Sequence, residues 1–176
     1  MEIKRITEEN AGDLRLHNDP FEMPGRLIPE LKDGAWRYRA EPFEEVQTMV
    51  FPEEAYEYAA VAKDGTAFAA YENGQCVGLI VLKNAFFRYM YVYDLKVSAR
   101  ARRTGAGRAL LEAAKQEAID RGYLGLYLQA QDNNLGACLF YLNNGFVIGG
   151  FDNRVYHGTG QQGKADIILY WDQTTE

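Results

Sequence analysis

The middle of the chain alternates between apolar runs of strand length and short polar breaks. Residues 67–71 and 76–82 are two such runs. Asn73-Gly74 between them predicts a tight hairpin, because both central residues of that turn need a positive φ. Residues 89–98 form a third apolar run. The pattern therefore predicts three consecutive strands that pair antiparallel.

Residues 105–121 carry the strongest helical pattern in the chain. Apolar residues recur every three or four positions along one face, at Leu110, Leu111, Ala114 and Ala118. The charged residues between them are predicted to face water: Glu112, Lys115, Glu117 and Arg121. Gly122 follows as a C′ glycine would. Further on, strands are predicted at 123–129, 146–151 and 166–171, with a helix at 134–144.

The first third of the chain has weaker patterns. Residues 2–6 alternate and predict an edge strand, and residues 8–18 predict a helix with Thr7 as its N-cap. Residues 19–42 contain four of the five prolines, so any helix there is short. Residues 43–51 predict a second helix.

This order of elements indicates the fold class. Helices, then three antiparallel strands, then strand–helix alternation are typical of an α/β fold with a mixed sheet and helices on both faces. A chain of 176 residues can bury one proper core but is short for two. We therefore expect a single domain that covers residues 1–176.

Charge narrows the classes of partner. The chain has a net charge of −6 and a pI of about 5.1. A field of this sign repels phosphates, so no nucleic-acid partner is expected, and it weakly favours a cationic small substrate. The N-terminus has no apolar signal core, and no run approaches membrane-spanning length. We expect a cytoplasmic protein with no membrane partner.

Cysteine and histidine are sparse. Cys76, Cys138, His17 and His157 show no metal-ligand spacing, so neither a metal site nor a disulfide is expected. Cys138 has no histidine nearby in sequence. It is therefore expected to be a small buried residue rather than an acyl-accepting nucleophile.

In residues 94–111 a predicted strand, a basic turn and the strongest predicted helix follow one another without a break. The first amides of a helix lack internal partners and lie at its positive end, so such a junction suits a diphosphate. Gly105 and Gly107 let phosphates approach the backbone closely. Three arginines add positive charge there: Arg102, Arg103 and Arg108. The alternative is an ordinary basic helix start exposed to water.

Two spaced motifs resemble the acyl-CoA-binding signatures of the GNAT acetyltransferase superfamily. The first is Arg102-x-x-Gly105-x-Gly107. The second, one predicted strand later, is Asn134-x-x-Ala137-x-x-x-Tyr141-x-x-x-Gly145-Phe146. The resemblance implies an α/β fold with a splayed mixed sheet, acetyl-CoA as co-substrate, and direct transfer of the acetyl group to an amine.

The resemblance also implies which residues bind acetyl-CoA. The backbone of Leu95 and Val97 would bind the pantetheine arm, with the amide near Val97 as the oxyanion donor. Asn134 would hold the pantetheine or a bridging water; its alternative role is a helix N-cap. The diphosphate turn would comprise Arg102, Arg103, Thr104, Gly105, Ala106, Gly107 and Arg108.

Two residues are candidates for proton transfer. By the same resemblance, Tyr141 is the general acid that protonates the CoA thiolate, a role that suits a phenol. The alternative for Tyr141 is a packed aromatic. Asp94 is the candidate base, and its alternative is a solvated strand residue.

Short segments resemble the streptothricin acetyltransferase branch of this superfamily. They are residues 20–22, 34–36, 133–138, 149–152 and 170–171. That branch implies a small cationic amine as acceptor, such as the β-lysyl amine of streptothricin. It commonly has Tyr-Ile-Glu-Asp on the third strand, whereas this chain has Tyr91-Val92-Tyr93-Asp94, so Tyr93 replaces an acid.

The acceptor side keeps several alternatives open. Four acids in the first third of the chain are predicted to select a cationic acceptor: Glu22, Glu41, Glu44 and Glu45. The other possible acceptors are protein or peptide amines. A further alternative is a module that binds acyl-CoA as a sensor ligand without turnover. The expected assembly is a monomer or a homodimer.

One glycine-rich segment is a decoy. Residues 158–164 satisfy GxGxxG and nearly satisfy the phosphate-binding GxxxxGK[ST], but Ala165 stands where the hydroxyl is required. The residues that follow predict a strand, so no helix start is available for a phosphate. We expect a hairpin loop there and no bound nucleotide.

Overall fold

The computed structural model describes residues 1–85 and 87–173. The chain forms two compact units, each built from segments that are distant in sequence. The first unit contains Met1–Pro20, Val50–Leu126 and Gln173, and the second contains Phe21–Met49 and Tyr127–Asp172.

The described residues form nine strands and three α-helices. The strands are β1 (Glu2–Arg5), β2 (Phe21–Lys32), β3 (Ala35–Met49), β4 (Gly65–Glu72), β5 (Gln75–Lys83), β6 (Tyr89–Val97), β7 (Gly125–Gln131), β8 (Val147–Asp152) and β9 (Asp166–Asp172). The helices are α1 (Tyr58–Asp64), α2 (Ala106–Asp120) and α3 (Leu135–Asn143). Two short 3-10 helices cover Glu8–Arg15 and Ala99–Ala101.

The strands of the first unit lie in the order β1-β4-β5-β6, and each adjacent pair is antiparallel. β4 and β5 join through Asn73 and Gly74, whose φ values are 50° and 77°. The predicted hairpin, the three consecutive strands and the edge strand at residues 2–6 are thus confirmed. The predicted helix at 8–18 is instead a 3-10 helix, which begins after Thr7 and ends at Arg15.

Helix α2 packs against β4, β5 and β6 with its predicted apolar face. Leu110, Leu111, Ala114 and Ala118 are fully buried. At its end, the Tyr123 amide donates to the Ala118 carbonyl, and Gly122 follows the helix at φ 76°. This left-handed glycine terminates the helix as predicted.

The prediction that Glu117 faces water is wrong. Glu117 lies on α2 but is only 5% exposed. Its Oε1 accepts hydrogen bonds from Arg5 Nη1 at 2.9 Å and from Arg121 Nε at 2.6 Å. Two guanidinium groups therefore make burial of this carboxylate tolerable, since a buried charge needs partners.

The second unit contains a long β2–β3 ribbon and the strands β7-β9-β8, with α3 packed against β2. β2 and β3 join through Asp33 and Gly34, which have φ values of 52° and 76°. The predicted helix at 43–51 is therefore wrong, because residues up to Met49 continue β3.

The prolines fit this ribbon for a simple reason. A two-stranded sheet has an outer edge on each strand, and a proline at such an edge removes no ladder hydrogen bond. Pro29 pairs with Tyr38, and Pro42 pairs with Gly25. Proline content thus limits helix here but does not prevent strand.

The end of the second unit matches the sequence prediction. β8 and β9 pair antiparallel, and residues 158–164 lie in the connection between them. β9 follows this connection, so no helix begins after Lys164. Within residues 1–85 and 87–173, no helix is long and apolar enough to cross a bilayer.

The ion pairs of Glu117 predict a pH-dependent contribution to stability. The hydrogen bond from Arg5, joined by that from Arg121, holds the pKa of Glu117 below its ordinary 4.5. Its stabilising effect is therefore full above the unfolded-state value and is lost as the pH falls through the folded-state value. We expect Glu117→Gln to lower the free energy of unfolding at pH 7 by about 2 kcal/mol.

Urea unfolding across pH 7 to 3 measures this difference, which should shrink below pH 4.5. Glu112→Gln is the matched control, because Glu112 is an exposed glutamate of the same helix paired with Lys115. It should cost less than about 0.5 kcal/mol. Equal stability of Glu117→Gln and the natural chain at pH 7 would contradict the role assigned to this carboxylate.

Candidate functional site

A β-bulge interrupts β6 in the first unit. Val81 of β5 pairs with Asp94, but the next residue, Leu82, pairs with Val92. Tyr93 is therefore the extra residue of the bulge. Bulges redirect side chains and occur often beside active sites. The bulge places the position where this chain departs from the streptothricin branch directly before the candidate base.

Asp94 lies in a cluster of ionisable groups. The Tyr56 hydroxyl donates to Asp94 Oδ2 at 2.9 Å, and Lys96 Nζ lies 3.7 Å from the same oxygen. The Asp94 side chain is 22% exposed. Burial, together with the Asp94 carboxylate, raises the pKa of Tyr56 well above its ordinary 10.0, so Tyr56 is a neutral donor. The Asp94 carboxylate is therefore fixed by a hydrogen bond from Tyr56 and an ion pair with Lys96, and it is not a freely solvated strand residue.

Aromatic rings surround the bulge. The Tyr93 ring makes edge contacts with Tyr56 and Tyr91, at centroid distances of 6.4 and 5.9 Å. Lys83 Nζ lies 3.2 Å from the centroid of the Tyr93 ring. The face of Tyr93 therefore already holds an ammonium group by a cation–π interaction.

β6 leads directly into the basic turn. Leu95 pairs with Ile80 and Val97 pairs with Gly78, so both predicted pantetheine contacts lie at the end of β6. The turn that follows uses two left-handed residues, Arg103 at φ 64° and Gly105 at φ 98°. An arginine in this region is uncommon, and such turns can aim successive amides at an anion.

Helix α2 begins immediately after the turn. The Ala109 amide donates to the Gly105 carbonyl at 2.9 Å, as the first bond of the helix. The amides of Ala106, Gly107 and Arg108 precede it and have no acceptor within the helix. Together with the helix dipole, they can bind a phosphate.

The Arg102 side chain binds backbone carbonyls of the first unit. Its guanidinium donates to the carbonyls of Val97 at 3.2 Å, Pro20 at 2.6 Å and Asp19 at 2.9 Å. The Asp19 carboxylate in turn accepts the Ala99 amide at 2.7 Å. Arg102 therefore fixes the junction, whereas Arg103 and Arg108 are exposed.

The second signature lies on α3, in the second unit. Asn134 is its N-cap, and Oδ1 accepts the Ala137 amide at 3.1 Å. The alternative reading of Asn134 as a cap is thus confirmed. Tyr141 is 8% exposed, and its ring makes edge contacts with Phe140 and Phe146. Tyr141 is therefore a packed aromatic, whatever its hydroxyl does.

The acetyltransferase (GNAT) family model matches residues 30–146. The chain belongs to the GNAT acetyltransferase family. Streptothricin acetyltransferase A of Bacillus subtilis (strain 168) is 31% identical over 170 residues, covering 96% of this chain and 98% of the relative. The family match confirms the resemblance stated from the two motifs.

Solved structures agree with this assignment. A crystal structure from Bacillus anthracis str. Ames, in complex with acetyl coenzyme A, has a TM-score of 0.88 at 29% identity and covers 98% of each chain. Nourseothricin acetyltransferase has a TM-score of 0.80 at 24% identity and covers 97% of each chain, a likeness of fold. The predicted α/β class with a mixed central sheet, the enzyme class and acetyl-CoA as co-substrate are confirmed.

The buried cysteine of this GNAT enzyme is not a nucleophile. Cys138 is fully buried on α3, and burial raises the pKa of its thiol to about 12. A thiolate is therefore negligible near neutral pH. The expectation of a small buried residue is confirmed.

Sequence reasoning missed the two partners of Asp94. Tyr56 is 38 residues away along the chain and precedes α1 in a segment without a clear pattern. Lys96 sits two positions after Asp94, on the same face of β6, so a period-2 reading of the strand would have placed the two side chains together. The bulge at Tyr93 left no signal in the sequence.

Proposed function

We propose that this GNAT enzyme transfers the acetyl group of acetyl-CoA directly to a primary amine of a small cationic molecule, with streptothricin as the leading acceptor. The observation that carries the proposal is the junction between β6 and α2, which combines the first amides of α2 with two exposed arginines, Arg103 and Arg108; Asp94 lies on the same strand, β6. The near full-length relative named for streptothricin supports the acceptor.

Acetyl-CoA binding is proposed to begin at this junction. The amides of Ala106, Gly107 and Arg108 bind the diphosphate, and the Arg103 and Arg108 side chains neutralise its charge. Thr104 and Gly105 complete the turn. Arg102 contributes by holding the turn in shape, since its guanidinium is bonded to three carbonyls.

The remaining cofactor contacts follow the family resemblance. The backbone of Leu95 and Val97 holds the pantetheine arm, and the Val97 amide donates to the oxyanion of the tetrahedral intermediate. Asn134 caps α3 through Oδ1 and is proposed to contact the pantetheine through its amide group. Each of these contacts orients the thioester for attack.

The chemistry requires three proton transfers. The acceptor ammonium loses its first proton to Asp94, and the free amine attacks the thioester carbonyl. When the intermediate collapses, the carbon–sulfur bond breaks and the leaving thiolate takes a proton from Tyr141, while the nitrogen gives up its second proton, which restores the phenol of Tyr141. The products are an amide and free CoA thiol.

Charge favours a cationic acceptor. The net charge of −6 gives a field that steers cations, and four acids of the β2–β3 ribbon add to it: Glu22, Glu41, Glu44 and Glu45. Glu41 already pairs with Arg39 at 2.8 Å. Tyr93 adds no charge for the acceptor where the branch has an acid, and the Lys83 ammonium lies 3.2 Å from the centroid of its ring.

The same position supports a second candidate. Tyr93 stands where the streptothricin branch commonly has an acid. The site that binds the acceptor therefore has one carboxylate fewer, and it attracts a multiply charged antibiotic less strongly. A lysine side chain or N-terminus of a peptide carries a single amine and needs fewer acids. Protein or peptide acetylation is therefore the second proposed function.

Gly107 provides the direct test of the diphosphate site. Gly107→Val places a branched side chain in the first turn of α2, where it blocks approach to the amides. We expect acetyl-CoA affinity, measured by calorimetry, to fall by roughly tenfold or more. Gly107 is the better choice than Gly105, because Gly105 has a φ of 98° and any side chain there strains the backbone.

Gln116→Val is the control for a β-branched residue in the same helix, at an exposed site. It should leave acetyl-CoA affinity unchanged. Circular dichroism shows whether both variants are folded. An unchanged affinity in folded Gly107→Val would refute the diphosphate assignment.

The general acid is tested by Tyr141→Phe. Phenylalanine keeps the ring between Phe140 and Phe146 and removes only the hydroxyl. We expect kcat to fall roughly 10- to 1,000-fold, with acetyl-CoA affinity little changed. Steady-state release of CoA thiol measures kcat.

Tyr127→Phe is the matched control, because Tyr127 is a partly buried tyrosine of the same unit that stacks on Tyr170. Its kcat should stay within about twofold of the natural chain. If Tyr141→Phe keeps its kcat and loses only stability, Tyr141 has a packing role alone.

A further inference from the structure

Lys96 is a buried lysine without a hydrogen-bond acceptor among the described residues. Its side chain is 8% exposed. The Asp94 carboxylate, 3.7 Å from Nζ, is its ion-pair partner, and the Tyr56 ring centroid lies 5.6 Å from Nζ. Burial of an ammonium group without a full set of partners is costly for folding. Stability therefore does not explain why a lysine is buried at position 96, and we look for a role in the reaction.

The ammonium group cannot contact a substrate. The Nζ atom has almost no accessible surface, whereas the Asp94 side chain is 22% exposed. Lys96 therefore acts on the reaction through the groups around it, and Asp94, at 3.7 Å, is its ion-pair partner among them.

We propose that Lys96 is a positioning residue that, together with Tyr56, holds Asp94 as an oriented carboxylate ready to accept the proton of the acceptor amine. The proposal rests on the proposed function, in which Asp94 is the base. Lys96 supplies the charge and Tyr56 supplies the hydrogen bond, both at Oδ2. Oδ1, which has no donor in the described part of the chain, is left for the acceptor.

The neighbouring groups leave Lys96 as the charge partner of Asp94. Tyr56 is a neutral phenol, and the residue opposite Asp94 on β5 is the apolar Val81. The other ionisable groups around the cluster interact with the neighbours of Asp94. Glu54 and Tyr93 interact with Tyr56. Glu53 interacts with Lys96, and Lys83 lies over the Tyr93 ring.

The proton balance of the step is simple. A proton leaves the acceptor ammonium and binds Asp94 Oδ1, and the nitrogen lone pair forms the bond to the acetyl carbon. Asp94 later returns that proton to solvent. Lys96 keeps its protons throughout. It therefore affects how the Asp94 carboxylate is oriented and charged, and it exchanges no atoms with the substrate.

Lys96→Met and Lys96→Arg separate charge from packing. Both disturb the buried site, but only methionine removes the positive charge. Lys63→Met, at an exposed lysine of α1 in the same unit, controls for the loss of one net charge. All three are made in the full chain, and melting curves show that they fold.

The first readout needs no turnover. In protein labelled with ¹³C at the aspartate carboxyls, the Asp94 resonance is identified by its loss in Asp94→Asn and followed from pH 3 to 8. In Lys96→Met it should titrate about one pH unit or more higher, as expected when a cation within about 4–6 Å of a carboxylate is lost. In Lys96→Arg and Lys63→Met it should titrate as in the natural chain.

The second readout is kcat/KM of the variant divided by kcat/KM of the natural chain, measured with the same amine at each pH. The ionisation of that amine affects both values equally and so does not change the ratio. For Lys96→Met this ratio should fall about threefold or more between pH 8 and 4.5. For Lys96→Arg it should stay flat, even if its absolute value is lower.

The outcomes are distinct. An unchanged Asp94 titration in Lys96→Met overturns the inference, whether or not the enzyme turns over. A shifted titration with a flat kcat/KM ratio also overturns it, because Asp94 is then not the base. If the natural chain acetylates no amine, the proposed function fails, and the carboxyl titration still decides whether Lys96 controls Asp94.

Discussion

The hydrogen bonds of Arg102 hold together the part of this enzyme on which its proposed chemistry depends. The guanidinium joins the end of β6, at Val97, to the carbonyls of Asp19 and Pro20. It thereby fixes where the strand ends and where α2 begins. Arg103 and Gly105 take left-handed conformations between them, so that the first amides of α2 are presented together. The motif arginine therefore has a structural role at this junction, through its bonds to three carbonyls.

The same strand carries the acceptor side of the site. The bulge at Tyr93 breaks the ladder with β5, and Asp94 follows it in a setting of one neutral phenol and one buried ammonium. A carboxylate placed this way is held in one orientation by a hydrogen bond and an ion pair. Within the first unit, the chain therefore runs from the proposed base through the end of β6 and the 3-10 helix Ala99–Ala101 to the proposed diphosphate site.

Local signals in the sequence predicted the elements that local chemistry determines. Asn73-Gly74 specified one hairpin, the apolar stripe of α2 specified its buried face, and Gly122 specified its end. The two signatures specified the family because their spacing matches a strand-to-helix junction and a capped helix. Capping and pantetheine binding were the two alternatives for Asn134; the structure confirms the cap, and the binding role stays a prediction.

Other features depend on contacts between distant residues. Residues 43–49 are rich in glutamate and glutamine, which favour helix, yet pairing with β2 makes them strand. Asp33-Gly34 is a hairpin signal of the same kind as Asn73-Gly74, and the sequence prediction missed it. Glu117 was misplaced because Arg5, its partner, lies 112 residues away. Tyr56 was missed for the same reason.

The central claim is that acetyl-CoA is used to acetylate a small cationic amine. Release of CoA thiol gives kcat/KM for streptothricin and for lysine-containing peptides, at low and at high salt, and mass spectrometry of the product identifies the acetylated amine. The account predicts a higher kcat/KM for streptothricin, decreasing as salt screens the acidic field. A clear preference for peptides, or a streptothricin kcat/KM that salt leaves unchanged, would contradict it.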